Sequence, residues 1–349
     1  REEWKMNSSW KTFLETQPGG VQASSRTGTA KNAPDIECGL LDLSHLGLIR
    51  VSGEDAEHFL QGQLSNDVRE VSNSHFQMSS YCTPKGRMLA NFLVLRYAGD
   101  YLLQMPLELL PSVLKRLSMF VLLSKVQVTD ASDQLVPIGV AGDCAFERLE
   151  AHVTGIPRAP GDAAESGAIT LLRLAGERPR FEIIGEAEAI IGLWPKIAEN
   201  ARIGDADWWS LLDIRAGIPT IRRSTVEAFV PQMINMQLID GVSFTKGCYT
   251  GQEVVARMKY LGKLKRRMYL AHADTDTRPL PGDEIFSAGS QSQQGAGKVV
   301  NACMSPAGGY DLLAVLEVAS ADEGDLHLQQ IEGPRLELRE LPYSLQEPE

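Results

Sequence analysis

The sequence predicts an α+β protein of several domains, and three observations carry that prediction. At 349 residues the chain is longer than one ordinary core organises, so two or three domains are expected. Antiparallel strand patterns dominate its first third and a split β-α-β arrangement its middle. From Met268 to Pro342 short β-rich runs alternate with turns, as in a compact antiparallel β-barrel or sandwich.

The elements follow in order. Arg1 to Pro34 mixes Ser, Thr, Gly and Gln with little periodicity and reads as a mobile arm, with Met6 as a natural start and Trp10 and Phe13 in one docked turn. Ser52 to Asp55 caps a helix through Ala56, Phe59, Leu60 and Leu64. Phe76 to Thr83, Met88 to Tyr97 and Tyr101 to Met105 are successive antiparallel strands, joined at Pro84-Lys85-Gly86 and Ala98-Gly99-Asp100. Leu107 to Leu123 is helical, with Pro111 in its first turn or dividing it, and Lys125 to Thr129 returns as a strand. Leu135 to Val140, Ile169 to Leu174 and Phe181 to Ile184 are strands. Cys144 to His152 and Ala187 to Ala201 are helices, the second kinked or shortened by Pro195. Asp205 to Arg215 is a helix ended by Gly217-Ile218-Pro219. Its adjacent Trp208 and Trp209 point about 100° apart, so either both are domain-interface aromatics or one faces a cleft.

The chain is organised around Lys246 to Glu253. Thr250 followed three residues later by Glu253 is a capping-box pattern, so a helix is expected to open there, stapled by Tyr249 and Val254 and stopped at Gly262. Cys248 lies two residues ahead of that cap and two from Lys246, both of which favour a thiolate. Gly247 and Gly251 flank it with room for a close approach. A lone cysteine is commonly a small buried hydrophobe, but the coincidence of lysine, glycines and helix start points to function.

Composition sets the setting. Hydrophobic residues make up 43% and charged residues 23%, and no apolar run reaches membrane-spanning length, so a soluble protein that crosses no membrane is expected. The start carries charge and tryptophan where a signal peptide needs an apolar core. Cys38, Cys82, Cys144, Cys248 and Cys303 are scattered with no Cys-x-x-Cys pair, which suits a reducing cytoplasm and suggests no metal site. The net charge of −11 opposes wholesale nucleic-acid coating. Locally, Lys246, Arg257, Lys259, Lys263, Lys265, Arg266 and Arg267 are opposed only by Glu253. That stripe is either a solvated helix face or a surface for a polyanion such as tRNA or a polyglutamate tail.

The Lys246-Gly247-Cys248-Tyr249-Thr250-Gly251-Gln252-Glu253 octet resembles a signature of the YgfZ-type folate-binding proteins, relatives of the aminomethyltransferase (T-protein) of the glycine cleavage system. Gly62-Gln63-Leu64-Ser65-Asn66-Asp67-Val68, Pro84-Lys85-Gly86-Arg87-Met88, Ala216-Gly217-Ile218-Pro219 and Phe229-Val230-Pro231-Gln232 agree with the family in the same order. The resemblance implies a three-domain, T-protein-like ring around a central hole that accommodates folate. Its expected divisions are the arm at 1–35, a folate-binding domain at 36–130 resumed at 205–264, a split β-α-β (ferredoxin-like) domain at 131–204, and a C-terminal antiparallel β-barrel at 265–349.

What the resemblance implies for function is a cytoplasmic accessory factor that binds tetrahydrofolate or a derivative, supports iron–sulfur enzymes or their assembly factors, and influences tRNA modification indirectly. By position, Lys246 and Cys248 match the family's functional pair and Trp209 a folate-contact tryptophan whose ring could stack on the pterin. Leu46 stands where some members carry a second such tryptophan, and Glu182 resembles the carboxylate that recognises pterin nitrogens. T-proteins carry aspartates after the turn equivalent to Gly86. Here the stretch reads Met88-Leu89-Ala90-Asn91-Phe92, and Asn91 can hydrogen-bond in a folate site but cannot accept a proton. Glycine-cleavage aminomethyl transfer is therefore not expected. Two alternatives stand beside the accessory role: a folate-dependent one-carbon transferase using Cys248, and a direct tRNA-binding module using the basic stripe.

Overall fold

The structure, a computed structural model, describes residues 6–17, 37–261, 264–290 and 295–346. Most of the expected arm lies outside these residues, as do Gly262 and Lys263. The described part of the arm is more than one turn. Ser8–Thr16 form helix α1, opened by the Asn7 side chain, which accepts from the Trp10 N–H. Trp10 is fully buried, donates from its indole nitrogen to Asp42 Oδ1 at 2.9 Å, and meets Trp194 edge-on at 5.1 Å. Trp10, Phe13 and Leu14, one helical turn apart, make an apolar face that the polar remainder of the arm hides from a compositional reading.

After β1 (Cys38–Asp42), the chain runs through β2 (Leu46–Ser52), α2 (Ala56–Gln63), β3 (Gln77–Cys82), β4 (Met88–Tyr97), β5 (Asp100–Pro106), α3 (Leu110–Met119) and β6 (Gln127–Asp130). Strands β3-β4-β5-β2-β6 form the first sheet, antiparallel throughout. Alternation gives it two apolar faces. Ile49, Val51, Ala90 and Phe92 join the core under α2 and α3, while Leu48, Leu95 and Leu102 belong to a separate core shared with the next sheet. Pro111 sits in the first turn of α3, which stops at Met119, short of the expected Leu123; Leu122 beyond it takes φ +46°.

The second sheet is ordered β11-β1-β7-β10-β9-β8, from β7 (Leu135–Gly142), β8 (Ala163–Ser166), β9 (Ile169–Leu174), β10 (Arg180–Glu186) and β11 (Arg202–Gly204). Strand β1 thus leaves the domain in which the sequence placed it, pairing antiparallel with β7 and parallel with β11. Helices α1, α4 (Ala145–Glu150) and α5 (Ala187–Ala198) cover one face through Trp10, Leu149, Ile190 and Trp194. Pro195 is accommodated inside α5, which ends three residues before the expected Ala201. A disulfide joins Cys38 to Cys144, so two of the five scattered cysteines are partners in space.

Then come α6 (Ala206–Arg215), α7 (Gln252–Leu261) and a third sheet ordered β16-β13-β14-β15-β12-β17, from β12 (Arg266–Ala273), β13 (Glu284–Phe286), β14 (Gly297–Met304), β15 (Tyr310–Glu317), β16 (His327–Leu328) and β17 (Leu336–Arg339), with α8 (Val318–Glu323) after β15. The expected closed barrel is not formed. The sheet curls, and its two edges meet only through an isolated bridge between His327 and Arg335. Gln329 at φ +63° and the Gln330–Gly333 turn cut β16 to two residues, too few for a closing ladder. The third sheet is fastened to α6. Arg215 pairs with buried Asp311 at 3.0 Å, Arg278 with Asp207 at 2.9 Å, and the Thr220 N–H donates to Asn301 Oδ1 at 2.9 Å. Among the described residues no helix is long and apolar enough to cross a membrane.

Candidate functional site

One cleft opens between the first two sheets. Leu46, Asn91 and Gln104 line it from β2, β4 and β5, Arg180 and Glu182 from β10, and Trp209 and Asp213 from α6, with the Ile218–Thr220 turn closing one end. Period-two alternation puts the polar strand residues there, because Asn91, Gln104 and Glu182 share strand faces with Leu95, Leu102 and Ile184 of the core between the sheets. Four residues singled out in the sequence, Leu46, Asn91, Glu182 and Trp209, are thereby brought together. The free space is about 70 Å³. Small-molecule pockets ordinarily hold roughly 300–1,000 Å³, so the cleft is narrow, with the half-buried Leu46 and Met78 among its lining.

Glu182 is fully buried; the Gln104 side-chain amide donates to its Oε1, and its Oε2 has no partner. Burial pushes the Glu182 carboxyl up to about 8; the Gln104 bond and the Arg180 cation pull down and the Asp213 charge adds to the rise. At neutral pH the group is mainly a protonated acid. Arg180, 1% exposed, pairs through Nη1 with Asp213 Oδ1 at 2.8 Å and donates from Nε to the Ala175 carbonyl at 2.6 Å. Its Nη2 has no hydrogen-bond partner. Burial also raises the Asp213 carboxyl, against the pull of Arg180.

Both tryptophans of α6 are buried, and each rests on a glycine of a different strand. A Cβ on Gly139 of β7 would lie 2.5 Å from the Trp209 ring, and one on Gly204 of β11 would lie 1.9 Å from the Trp208 ring. The Arg180 guanidinium lies over Trp209, 5.3 Å from the ring centroid. The ring that the sequence offered for stacking is thus already paired with a cation. Asn91 is likewise engaged, its amide donating to the Pro219 carbonyl at 2.8 Å and its oxygen accepting from the Ile221 N–H at 2.9 Å. It clamps the Gly217–Ile221 segment against β4, one donor and one acceptor of its amide being used for that task. Leu46 offers apolar contact.

The signature segment lies elsewhere, and none of its residues lines the cleft. It runs beside residues 62–66, held by the Ser243 N–H to the Ser65 carbonyl at 3.1 Å and the Thr250 N–H to the Gly62 carbonyl at 3.3 Å. Lys246 is buried, its ammonium donating to the Leu64 carbonyl at 2.7 Å and the Asn66 carbonyl at 2.6 Å, with the Tyr249 ring 5.2 Å away. Burial lowers the Lys246 amine to about 8, against the pull of the Asp67 charge. The expected assistance to Cys248 is replaced by this inward bonding, while Gly247 and Cys248 stand exposed at the apex of the loop.

Helix α7 opens at Gln252, with the Gly251 carbonyl accepting from the Val255 N–H at 3.3 Å. The cap position falls one residue after Thr250, and no Thr250–Glu253 exchange is formed among the described residues. Gly251, at φ +87°, sits so close to the β3–β4 turn that a Cβ would lie 2.6 Å from the Thr83 carbonyl oxygen. Packing on that turn, rather than a side-chain cap, sets the helix start. Gln252 is half-buried, its amide 3.5 Å from the Lys246 carbonyl, and Glu253 is exposed.

The basic stripe is broken up in the same way. Lys246 points inward, Arg266 pairs with Glu317 at 3.1 Å and Arg267 donates to the Leu345 carbonyl at 2.8 Å. Arg257, Lys259 and Lys265 are exposed, and the Lys259 ammonium lies 3.9 Å from the centre of the Phe244 ring. Lys263 lies outside the described residues.

Sequence reasoning passed over Arg180, Gln104, Asp213 and Gly139. Signals existed for three. Arg180 precedes Glu182 by two residues on one strand face, and Asp213 follows Trp209 by four on one helix face. Gly139, inside an apolar strand, marked a close approach. Gln104 carried no local signal, since its partner is contributed by the other sheet.

A family model described as the GCVT N-terminal domain matches residues 4–159. The tRNA-modifying protein YgfZ of Colwellia psychrerythraea is 31% identical over 325 residues, covering 91% of this chain and 98% of that protein. The tRNA-modifying protein YgfZ of Sodalis glossinidius is 32% identical over 308 residues, covering 88% and 94%. Among solved structures, the glycine cleavage system aminomethyltransferase T of Bartonella henselae superposes with a TM-score of 0.69 at 17% identity, over 88% of this chain and 86% of that one. This last likeness is one of fold.

Proposed function

The chain belongs to the family of the tRNA-modifying protein YgfZ, and on that premise we propose that it is a tetrahydrofolate-binding accessory protein that supports iron–sulfur enzymes and, through them, tRNA modification. The observation that carries the reading is Glu182: a buried carboxyl with one oxygen unpartnered, in a cleft shared with Trp209 and Leu46. In this reading the three domains encircle the cleft, as the aminomethyltransferase-like fold implies.

The lining suits a reduced pterin. Glu182 would accept from the pterin's N–H edge, with Gln104 holding its other oxygen, while Leu46 and Trp209 supply apolar contact. To accept, Glu182 gives up its proton. When bound, tetrahydrofolate supplies a ring system able to carry a one-carbon unit. Asn91 contributes no base beside it, since an amide takes no proton here and its donor and acceptor are bonded to the backbone at Pro219 and Ile221. This opposes the transferase alternative, as does the position of Cys248 on an exposed loop outside the cleft lining. Direct tRNA binding is left with Arg257, Lys259 and Lys265, and should then weaken steeply with salt.

Calorimetric titration with tetrahydrofolate tests the reading. Saturable binding is expected, weakened about tenfold or more in Trp209→Ala and Glu182→Gln and unchanged in Cys248→Ala. In cells lacking the protein, wild type but not Glu182→Gln should restore iron–sulfur enzyme activity and tRNA modification together. Absence of binding by the wild type would reduce the cleft to a retained scaffold feature.

A further inference from the structure

Cys38 opens β1 and Cys144 stands in the turn between β7 and α4, so their disulfide lies at one end of the antiparallel β1–β7 pair. Both residues are half-buried, whereas the free thiols of Cys82 and Cys303 are enclosed, and burial pushes each up to about 12. A cation faces one sulfur of the pair. Arg148 donates from Nε to Cys38 Sγ at 3.1 Å, and from Nη1 to the Ile197 carbonyl at 2.9 Å and to the Glu199 carbonyl, at the end of α5. Those carbonyls fix the guanidinium. Among the described residues no carboxylate pairs with it, so its charge is left for the sulfur. Of the other charged groups around the pair, Glu37, Asp143, Glu147, Glu199 and Arg202 are exposed to water, which screens them. Arg178, half-buried in the turn beside Gly142, is a further cation.

We propose that Cys38 and Cys144 form a redox site that exchanges with small thiols, Arg148 receiving Cys38 as the thiolate that leaves. The incoming thiolate attacks Cys144 Sγ and bonds to it, and the electron pair of the old sulfur–sulfur bond departs with Cys38, whose charge Arg148 meets. A second small thiolate attacks the outer sulfur of the mixed disulfide and releases Cys144. Two small thiols are thereby oxidised to one disulfide and the protein gains two electrons. Of the two thiol protons, one returns to Cys144 and the other stays in solution while Cys38 remains a thiolate. A thiol of lower pKa leaves faster, and a reduced form stabilised by a cation makes its pair easier to reduce. Strand β1 keeps its backbone pairing to β7 and β11 throughout, so reduction opens the covalent loop without dissolving the sheet. Neither cysteine nor Arg148 lines the cleft, and the exchange stands whatever the cleft binds.

The test equilibrates the folded full chain, carrying Cys248→Ser to remove the exposed third thiol, with mixtures of reduced and oxidised glutathione, and reads the pair by alkylation and mass. The pair should pass reversibly between disulfide and dithiol within the range of these mixtures. At about pH 8, Arg148→Gln should require a mixture about fivefold more reducing, with Arg148→Lys in between. Adding Cys144→Ser lets the ultraviolet absorbance of the thiolate report Cys38 alone. That thiol should titrate below the roughly 8.5 of a free cysteine, and close to it once Arg148→Gln is added. Cys38→Ser, given oxidised glutathione, should carry glutathione on Cys144, a readout that needs no change at Arg148. A disulfide that glutathione leaves intact in the folded chain and reduces only in denaturant overturns the proposal. So does a pair that stays a dithiol in oxidised glutathione, or a Cys38 thiol that titrates alike with and without Arg148.

Discussion

Gln104 on β5 and Glu182 on β10 are bonded to each other across the space between the first two sheets, the amide donating to one carboxyl oxygen while the other has no partner. Two strands that belong to different sheets thus meet through a polar pair at the edge of the apolar core between them.

This pair gives stability a pH dependence of definite sign. Burial lifts the Glu182 carboxyl from 4.5 to about 8, so the folded chain retains a proton that the unfolded chain releases. The associated stability is complete below about pH 4.5 and is lost as pH rises through about 8, amounting to roughly 3–5 kcal/mol at most. Glu182→Gln, neutral at every pH, should show a flatter profile in urea unfolding between about pH 5 and 9. Parallel profiles for the two proteins would falsify the assignment.

Ligand binding should report the same proton. If Glu182 accepts from a pterin edge, tetrahydrofolate binding at about pH 7 releases close to one proton per ligand. Calorimetry in buffers of different ionisation enthalpy measures this number directly. Glu182→Gln should release none.

Gly139→Ala should disturb the cleft without touching its polar groups. The added methyl meets the Trp209 ring at 2.5 Å, and overpacking of this kind costs about 1–3 kcal/mol. A lower melting temperature with altered tryptophan fluorescence is expected, partly relieved by adding Trp209→Leu. An unchanged fluorescence spectrum would mean that the ring has another resting place.

Asn91→Ala removes the clamp on the 217–221 segment and leaves the Pro219 carbonyl and the Ile221 N–H without their partner, at a cost of about 2 kcal/mol. Asn91→Asp keeps the acceptor for Ile221 and loses the donor to Pro219. It should therefore weaken the fold rather than install a transferase base. Unfolding free energies, with an assay for aminomethyl transfer, distinguish these results.

Lys246→Met should act on loop order before it acts on any chemistry. It leaves the Leu64 and Asn66 carbonyls without their ammonium donor, costing about 2–3 kcal/mol. Amide exchange should quicken across 243–251, while Cys248, already exposed, keeps its reactivity toward a small alkylating agent. A large fall in that reactivity would instead make Lys246 an activating group.

Much of this was legible before any coordinates. Strand alternation located β3, β4 and β5 because each buries a regular stripe, and the positional match to a family brought Leu46, Glu182 and Trp209 to one place. What escaped depended on distant partners. Asn91 looked like a cofactor ligand because its carbonyl and N–H partners come from a segment some 130 residues later. Lys246 looked like a neighbour of Cys248 because sequence adjacency says nothing of which way a side chain turns, and the bare carbonyls at Leu64 and Asn66 decided it. The closed barrel failed over a few residues, where a tight turn at Gln329–Gly333 truncates an edge strand. The docking of Trp10 was expected, but as one turn; Ser8–Thr16 form a longer helix because Leu14 joins Trp10 on the same face.

The bond between Cys38 and Cys144 has a topological consequence. These residues are 106 apart in sequence, and everything from β2 to β6 lies between them. In covalent terms the first sheet is a closed loop hung from the second. A single cut within it, for instance at the fully exposed Leu123, leaves both pieces on one molecule until the sulfurs are reduced. Reduction turns the same nicked chain into two fragments joined only by packing and hydrogen bonds.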